Sequence, residues 1–312
     1  MKSNFINNVH LEGLLYEHNL TKKVSGASSK NPGTEYITGT ISIATDNAGV
    51  NVVPIHYSYI TAVTSKGKAN STFTHLANII DGAYKTVVGA GADNAVKLSI
   101  DTNIDLNEFY SDKNGKEEFI SVKRNEGGFI HVVNTLNEDE AKRNTFDVDM
   151  IITSVTEQEE DTEKGTPAKA ILRGTIFQNY TKALLPTEFS IIRPDGIKFF
   201  LGQDIHSKNP LFIKLRGSQI SETIKRTIEE ESAFGDPYVK EVTSTRKDFV
   251  INSCGNPQEW DSEQTILATE LAAKMTERET YLATLKQRNE EYKSSKNAAA
   301  AAPIAKNSDF NF

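Results

Sequence analysis

The sequence predicts a mainly β protein: two tandem five-stranded barrels of one plan, then a C-terminal α-helix and a flexible tail. Three observations predict it. As far as about residue 255 the chain consists of short runs of Val, Ile, Thr, Phe and Tyr punctuated by Gly, Asn, Asp and Pro, which marks strands and turns. The order of those runs repeats once along the chain. After Trp260 the composition turns abruptly helical. The expected boundaries are 1–140 for the first barrel, 145–260 for the second, 261–293 for the helix and 294–312 for the tail.

In the first half the candidate strands are Asn8–Leu15, Glu35–Thr45, Val50–Ile60, Ala95–Ile100, Phe119–Arg124 and Gly128–Asn134. Asn125-Glu-Gly-Gly128 supplies glycines for a tight hairpin between the last two. Phe73–Ile80 has helical spacing, with Phe73, Leu76 and Ile80 on one side, and falls between the third and fourth strands.

The second half returns to the same order. Phe146–Ile152 opens it as Asn8–Gly13 opens the first, and Ile37-Thr-Gly-Thr-Ile41 comes back as Leu172-Arg-Gly-Thr-Ile176. Glycine inside a strand marks a bend or bulge where a barrel turns its corner. Further runs at Ile197–Leu201 and Leu211–Arg216 read as strands. Asp261-Ser-Glu-Gln264 fits a helix start of the capping-box kind. Beyond it Leu267, Leu271, Met275, Leu282 and Leu285 form a stripe interrupted by Arg278, expected to pack on the second barrel, with a coiled-coil contact between subunits as the alternative. From Lys293 onward the chain is low in complexity, without the apolar content to pack.

Composition narrows the function classes. The 312 residues carry a formal charge of −7, 38% hydrophobic and 25% charged residues, as in soluble globular proteins. No secretory signal and no run long enough to span a bilayer is visible, so a cytoplasmic protein is expected. The single Cys254 excludes an intrachain disulfide and a multi-cysteine metal site. There is no phosphate-binding loop, no metalloprotease His pair and no Cys-x-x-Cys, so neither an enzyme nor a cofactor is expected. Asp101–Asn107 has the oxygen spacing that opens a calcium loop, but Leu106 stands where glycine would have to turn it.

Against the acidic whole, Lys164–Arg216 carries nine basic residues and three acidic ones. Read as strands, its runs pair aromatics with cations on one face: Arg173 with Phe177, Lys198 with Phe200, and Phe212 with Lys214 and Arg216. Cations for phosphates and flat rings for bases are what a single-stranded nucleic acid requires. Weaker candidates in the first barrel are Tyr36, Tyr57, Tyr59, Lys123, Arg124 and Phe129.

Tandem five-stranded barrels with a helix between strands three and four describe the OB-fold. With its first strand ending in glycine at Asn8–Gly13, its aromatic and basic strand faces, and its last residues Asp309-Phe-Asn-Phe312, the chain resembles a single-stranded DNA-binding protein of the bacteriophage-encoded kind. The resemblance implies sequence-tolerant binding of single-stranded DNA in replication, recombination or repair. It also implies recruitment of protein partners through Asp309, Phe310 and Phe312, no membrane, and a homo-oligomer as an open question. The competing readings are a virion structural or assembly protein built from β-barrels, and an RNA-binding module.

Overall fold

The computed structural model describes residues 5–27, 29–112, 116–160, 167–230, 234 and 238–301. Strand β1 (Asn7–His18) alternates inward and outward residues along most of its length, with Val9, Leu11 and Leu15 fully inside. It is followed by β2 (Thr21–Val24), β3 (Glu35–Ala44), β4 (Val52–Thr61), helices α1 (Ser71–Ile80) and α2 (Val87–Ala90), β5 (Lys97–Ser111) and β6 (Glu118–Val132). β1 pairs with β3 and β5, β3 with β4, and β5 with β6, all antiparallel; β4 meets β6 in parallel at Ile55–Asn125. These pairings close the ring β1-β3-β4-β6-β5. The side chain of Asn70 caps α1 by accepting from Thr72 N (3.2 Å), and Leu76 and Ile79 of that helix join the barrel core.

The second ring has the same order and polarity. β7 (Asn144–Gln158), β8 (Lys169–Phe177), β9 (Leu184–Ile191), α3 (Pro194–Leu201), β10 (Leu211–Glu230) and β11 (Tyr238–Cys254) close as β7-β8-β9-β11-β10, with β9 and β11 parallel at Ser190–Val250. The helix again sits between the third and fourth strands of its ring. The repeated Gly-Thr-Ile lies on the second strand of each barrel, and Ile37, Ile41, Leu172 and Ile176 are all buried. At Gly174 a Cβ would stand 1.9 Å from the carbonyl oxygen of Ile151, so only glycine lets β8 approach β7 there. Both rings are OB-like barrels.

The rings fuse edge to edge. Asn7–Leu11 of β1 pairs antiparallel with Asn144–Val148 of β7, making one eleven-stranded sheet. The buried Asn7 amide fastens the seam: Nδ2 donates to the carbonyls of Ile104 (2.9 Å) and Phe177 (3.0 Å), and Oδ1 accepts from Ile104 N (2.9 Å). All the hydrogen-bonding groups of this buried side chain are satisfied by backbone from the two barrels.

Several elements differ from their sequence reading. Ile197–Leu201 belongs to helix α3, because Pro194 at its first turn presets φ and cannot donate in a strand. Asn125–Gly128 is a bulge inside the continuous β6, and the β5–β6 pairing extends to Ser111 opposite Glu118. Asp101–Asn107 lies within β5, whose extended backbone cannot wrap an ion as a calcium loop does. Leu184–Ile191 and Tyr238–Cys254 are strands that the sequence reading did not single out. The C-terminal helix α4 spans Ala268–Ala301 rather than beginning at Asp261. Asp261 has φ 60°, and its carboxylate accepts from Ala268 N (2.6 Å) across a turn that buries Ile266.

Helix α4 rests on both barrels. Leu271 packs on a satellite core of Phe5, Ile151, Phe177, Leu184, Phe212 and Ile266. Further along, its half-buried stripe is Lys274, Arg278, Leu282, Leu285, Asn289 and Lys293, while Met275 is exposed. Cations sit in the stripe because the β5–β6 hairpin beneath offers carboxylates. Arg278 pairs with the buried Glu108, and Lys293 pairs with Glu117 (2.8 Å) and Asp112 (2.9 Å). Among the described residues, no helix is long and apolar enough to cross a membrane.

Candidate nucleic-acid interface

The second and third strands of an OB barrel carry its oligonucleotide-binding face. In the first barrel these are β3 and β4, extended by the short β2. Tyr36 and Tyr59 meet on this face with ring centres 4.5 Å apart. The Tyr59 hydroxyl and the Ser25 hydroxyl are hydrogen-bonded at 3.0 Å, which fixes the ring from the loop after β2. Lys23 lies directly opposite Tyr36 in the β2–β3 register and is exposed. On the other flank, Arg124 of β6 reaches Glu126 (2.8 Å) and Ser58 (3.4 Å). Beside it, His56 shares a 3.3 Å hydrogen bond with Thr40, and burial together with the Arg124 charge holds its pKa below the usual imidazole range. The face therefore combines two adjoining rings with cations on both sides.

Three of the six first-barrel candidates, Tyr36, Tyr59 and Arg124, come together here. Tyr57 does not: it is fully buried on the inner face, opposite Gly39. Burial and the nearby Glu126 charge raise its phenol pKa, keeping it neutral. Lys123 is withdrawn as well. Its ammonium lies 4.3 Å from the ring centres of Phe189 and Phe249 in the second barrel and donates to the carbonyl of Glu188, so it is spent on packing the barrels together. Burial pulls its pKa down to about 8. Phe129 is exposed on β6, where it and Glu126 line the cleft between the barrels.

The second barrel corrects the sequence reading most. Phe177, Phe200 and Phe212 are buried, so none of them offers a stacking platform. Phe177 stacks on Phe5 at 3.7 Å, and both belong with Phe212 to the satellite core under α4; Phe200 plugs its barrel from α3. Alternation had placed these rings on an outer face. The segment before β1 and the start of α4 cover that face in two of the cases, and in the third the strand is a helix. The cations stay outside but are mostly engaged. Arg173 contacts Glu188 (3.2 Å) and Thr156 (3.0 Å), while Arg216 (2.7 Å) and Lys214 (3.5 Å) share Asp147. Lys198 is exposed on α3. Lys164 and the tip residues Asp309, Phe310 and Phe312 lie outside the described residues.

Lys23, Ser25 and Ser58 were not visible as site residues in the sequence. The available signal was the Lys-Lys pair of Thr21–Val24, whose pairing with Tyr36 depends on a hairpin register that sequence does not specify.

The fold defines a protein of two OB-like barrels in tandem. A family model described as YorF matches residues 6–294, and the chain belongs to that family. No curated protein matches it. Among solved structures it is similar to a deletion variant of the single-stranded DNA binding protein from Thermus aquaticus, at 9% identity and a TM-score of 0.45, over 84% of this chain and 99% of that one.

Proposed function

We propose that this protein binds single-stranded DNA without strong sequence preference and acts in replication, recombination or repair in the cytoplasm of the cell that makes it. The observation that carries this reading is the Tyr36–Tyr59 ring pair, 4.5 Å apart and flanked by Lys23 and Arg124, on the strand face that OB barrels use for oligonucleotides. Successive bases stack on the two rings, each stack contributing about 1–3 kcal/mol, and every base has a π-face to offer. Phosphates lie against Lys23 and against Arg124, whose guanidinium shares its charge with Glu126. The formal charge of −7 does not oppose this, because the field that matters is the one within about 8–10 Å of the face. The residues hold and orient a strand; no bond is made or broken.

Fluorescence titration with oligo-dT over a salt series tests the reading. Binding that weakens steeply with salt is the expected result, since counterions leave the phosphates. Absence of binding at low salt would favour a structural or assembly role for the barrels instead. Tighter binding to the matching RNA would point to contacts with the 2′-hydroxyl.

A further inference from the structure

The fusion of the two barrels leaves a cleft of about 720 Å³ between them. Its floor is a row across four strands: Phe129 on β6 faces Asp101 on β5, which faces His10 on β1, which faces Thr145 on β7. One wall is the β8–β9 turn, with Tyr180 at its tip. That turn is pinned to the first barrel by Gln178 Nε2 donating to Asp105 (2.8 Å) and Asn179 Nδ2 donating to the carbonyl of Asn7 (2.9 Å). The other wall is the cap of α1 and the β6 bulge, joined where Thr72 Oγ1 donates to the carbonyl of Gly128 (3.2 Å). Gly128 has φ 123°, and a Cβ there would stand 2.6 Å from the Asp101 carbonyl, so the bulge that presents Phe129 depends on glycine.

Phe129 is 62% exposed and Tyr180 86%, yet both line one cleft. Around them, every cleft carboxylate is held by a neighbour: Asp101 by His10 (2.8 Å), Asp105 by Gln178, Glu126 by Arg124, and Asp147 by Arg216. The cleft thus presents flat rings and hydrogen-bonded acceptor oxygens. Phosphate finds no unopposed cation there. A flat heterocycle with N–H donors finds both stacking faces and acceptors.

We infer that this cleft is a second subsite on the strand path and takes one unstacked nucleobase bearing an exocyclic amino group. It rests on the single-stranded DNA reading above. The two sites share a wall, because Glu126 lines the cleft while its carboxylate binds Arg124 and Ser58 of the tyrosine face. The Asp101 carboxylate, 62% exposed and opposite Phe129, accepts well from the amino group of cytosine and repels the O4 carbonyl that uracil and thymine carry in its place. The cleft therefore selects amino-bearing bases, while the tyrosine face stays indifferent.

The test compares short labelled oligo-dU with the same oligomer carrying interspersed cytosines, since the two bases differ in the amino-for-carbonyl exchange and the ring proton that goes with it. The full-length chain should bind the cytosine-bearing oligomer about five- to a hundredfold more tightly. Phe129→Ala and Tyr180→Ala should each lower that ratio towards one while leaving oligo-dU affinity and the melting temperature nearly unchanged. Equal affinity for the two oligomers, or a ratio that survives both variants, overturns the subsite and leaves the tyrosine face standing. If both variants weaken the two oligomers equally, the rings are further stacking platforms and the amino-group selectivity is wrong. If neither oligomer binds at low salt, the DNA reading falls and the subsite with it.

Discussion

Gln219 of β10 and Asn125 of β6 exchange two amide hydrogen bonds, at 2.8 and 3.0 Å, across the boundary between the barrels. Both are buried, and the Gln219 backbone is held in turn by the side chains of Asn144 and Asn51. Replacing Gln219 with Ala takes the donor from the buried Asn125 Oδ1, while Nδ2 keeps the Pro54 carbonyl (3.0 Å). The expected cost is about 1–3 kcal/mol of unfolding free energy in urea. Replacing both residues with apolar ones of similar size should recover part of it, because the Oδ1 left without a donor is then gone.

On the tyrosine face, Tyr36→Ala and Tyr59→Ala should each weaken oligo-dT binding by about 1–3 kcal/mol, roughly five- to 150-fold. Both rings lie on the outer surface of the sheet, so the melting temperature should fall by only a few degrees. Titration and thermal scans on the same samples separate the two effects. Large unfolding with unchanged binding would place the function elsewhere.

Phe177→Ala and Phe212→Ala should behave in the opposite way. Each ring is buried in the satellite core under α4, and its removal should cost about 3–5 kcal/mol of stability. Affinity measured well below the melting temperature should be unaffected.

Lys123 gives a pH dependence whose sign can be worked out. Its folded pKa, about 8, lies below the ordinary 10.5, so between those values the unfolded chain binds the additional proton. Stability from this group therefore rises with pH across that window, by at most about 3 kcal/mol. Lys123→Met removes the titration. The stability advantage of the variant over the parent should be constant below pH ~7 and shrink between pH ~8 and ~10. A difference that does not change with pH across that window would show the ammonium to be well solvated.

The Arg278–Glu108 pair ties α4 to the first barrel, and the Glu108 side chain is 2% exposed. Arg278→Ala takes the cation from that buried carboxylate and leaves it the Ser121 hydroxyl as a donor (3.1 Å), at a cost of up to about 3–5 kcal/mol. The helix should yield first, so amide exchange along Lys274–Lys293 should speed up much more than in β5. Glu108→Gln in the same chain should restore much of the protection.

The barrels were legible because period two and the repeated Gly-Thr-Ile report local backbone, and both halves obey them. Which face of a strand is covered is not local information. Phe177 alternates correctly with Leu172 and Ile176, but the residues that hide it, Phe5 and Leu271, lie far away in sequence. Ile197–Leu201 is too short for periodicity to separate strand from helix, and Pro194 was the overlooked arbiter. Tyr36 and Tyr59 were visible as residues but not as a pair, because their meeting depends on the register shift between Ile37 and Gly39.

The β1–β7 seam has a consequence for how the chain is born. Val9–Leu11 pair with β5 along one edge, and Asn7–Leu11 pair with Asn144–Val148 along the other. A nascent chain that has already emitted the whole first barrel still carries its earliest strand with one edge open, a template for a neighbouring polypeptide. That edge closes only when β7 has left the ribosome. Pausing in translation between the two barrels should therefore raise aggregation, and the first barrel expressed alone should be far less soluble than the full chain.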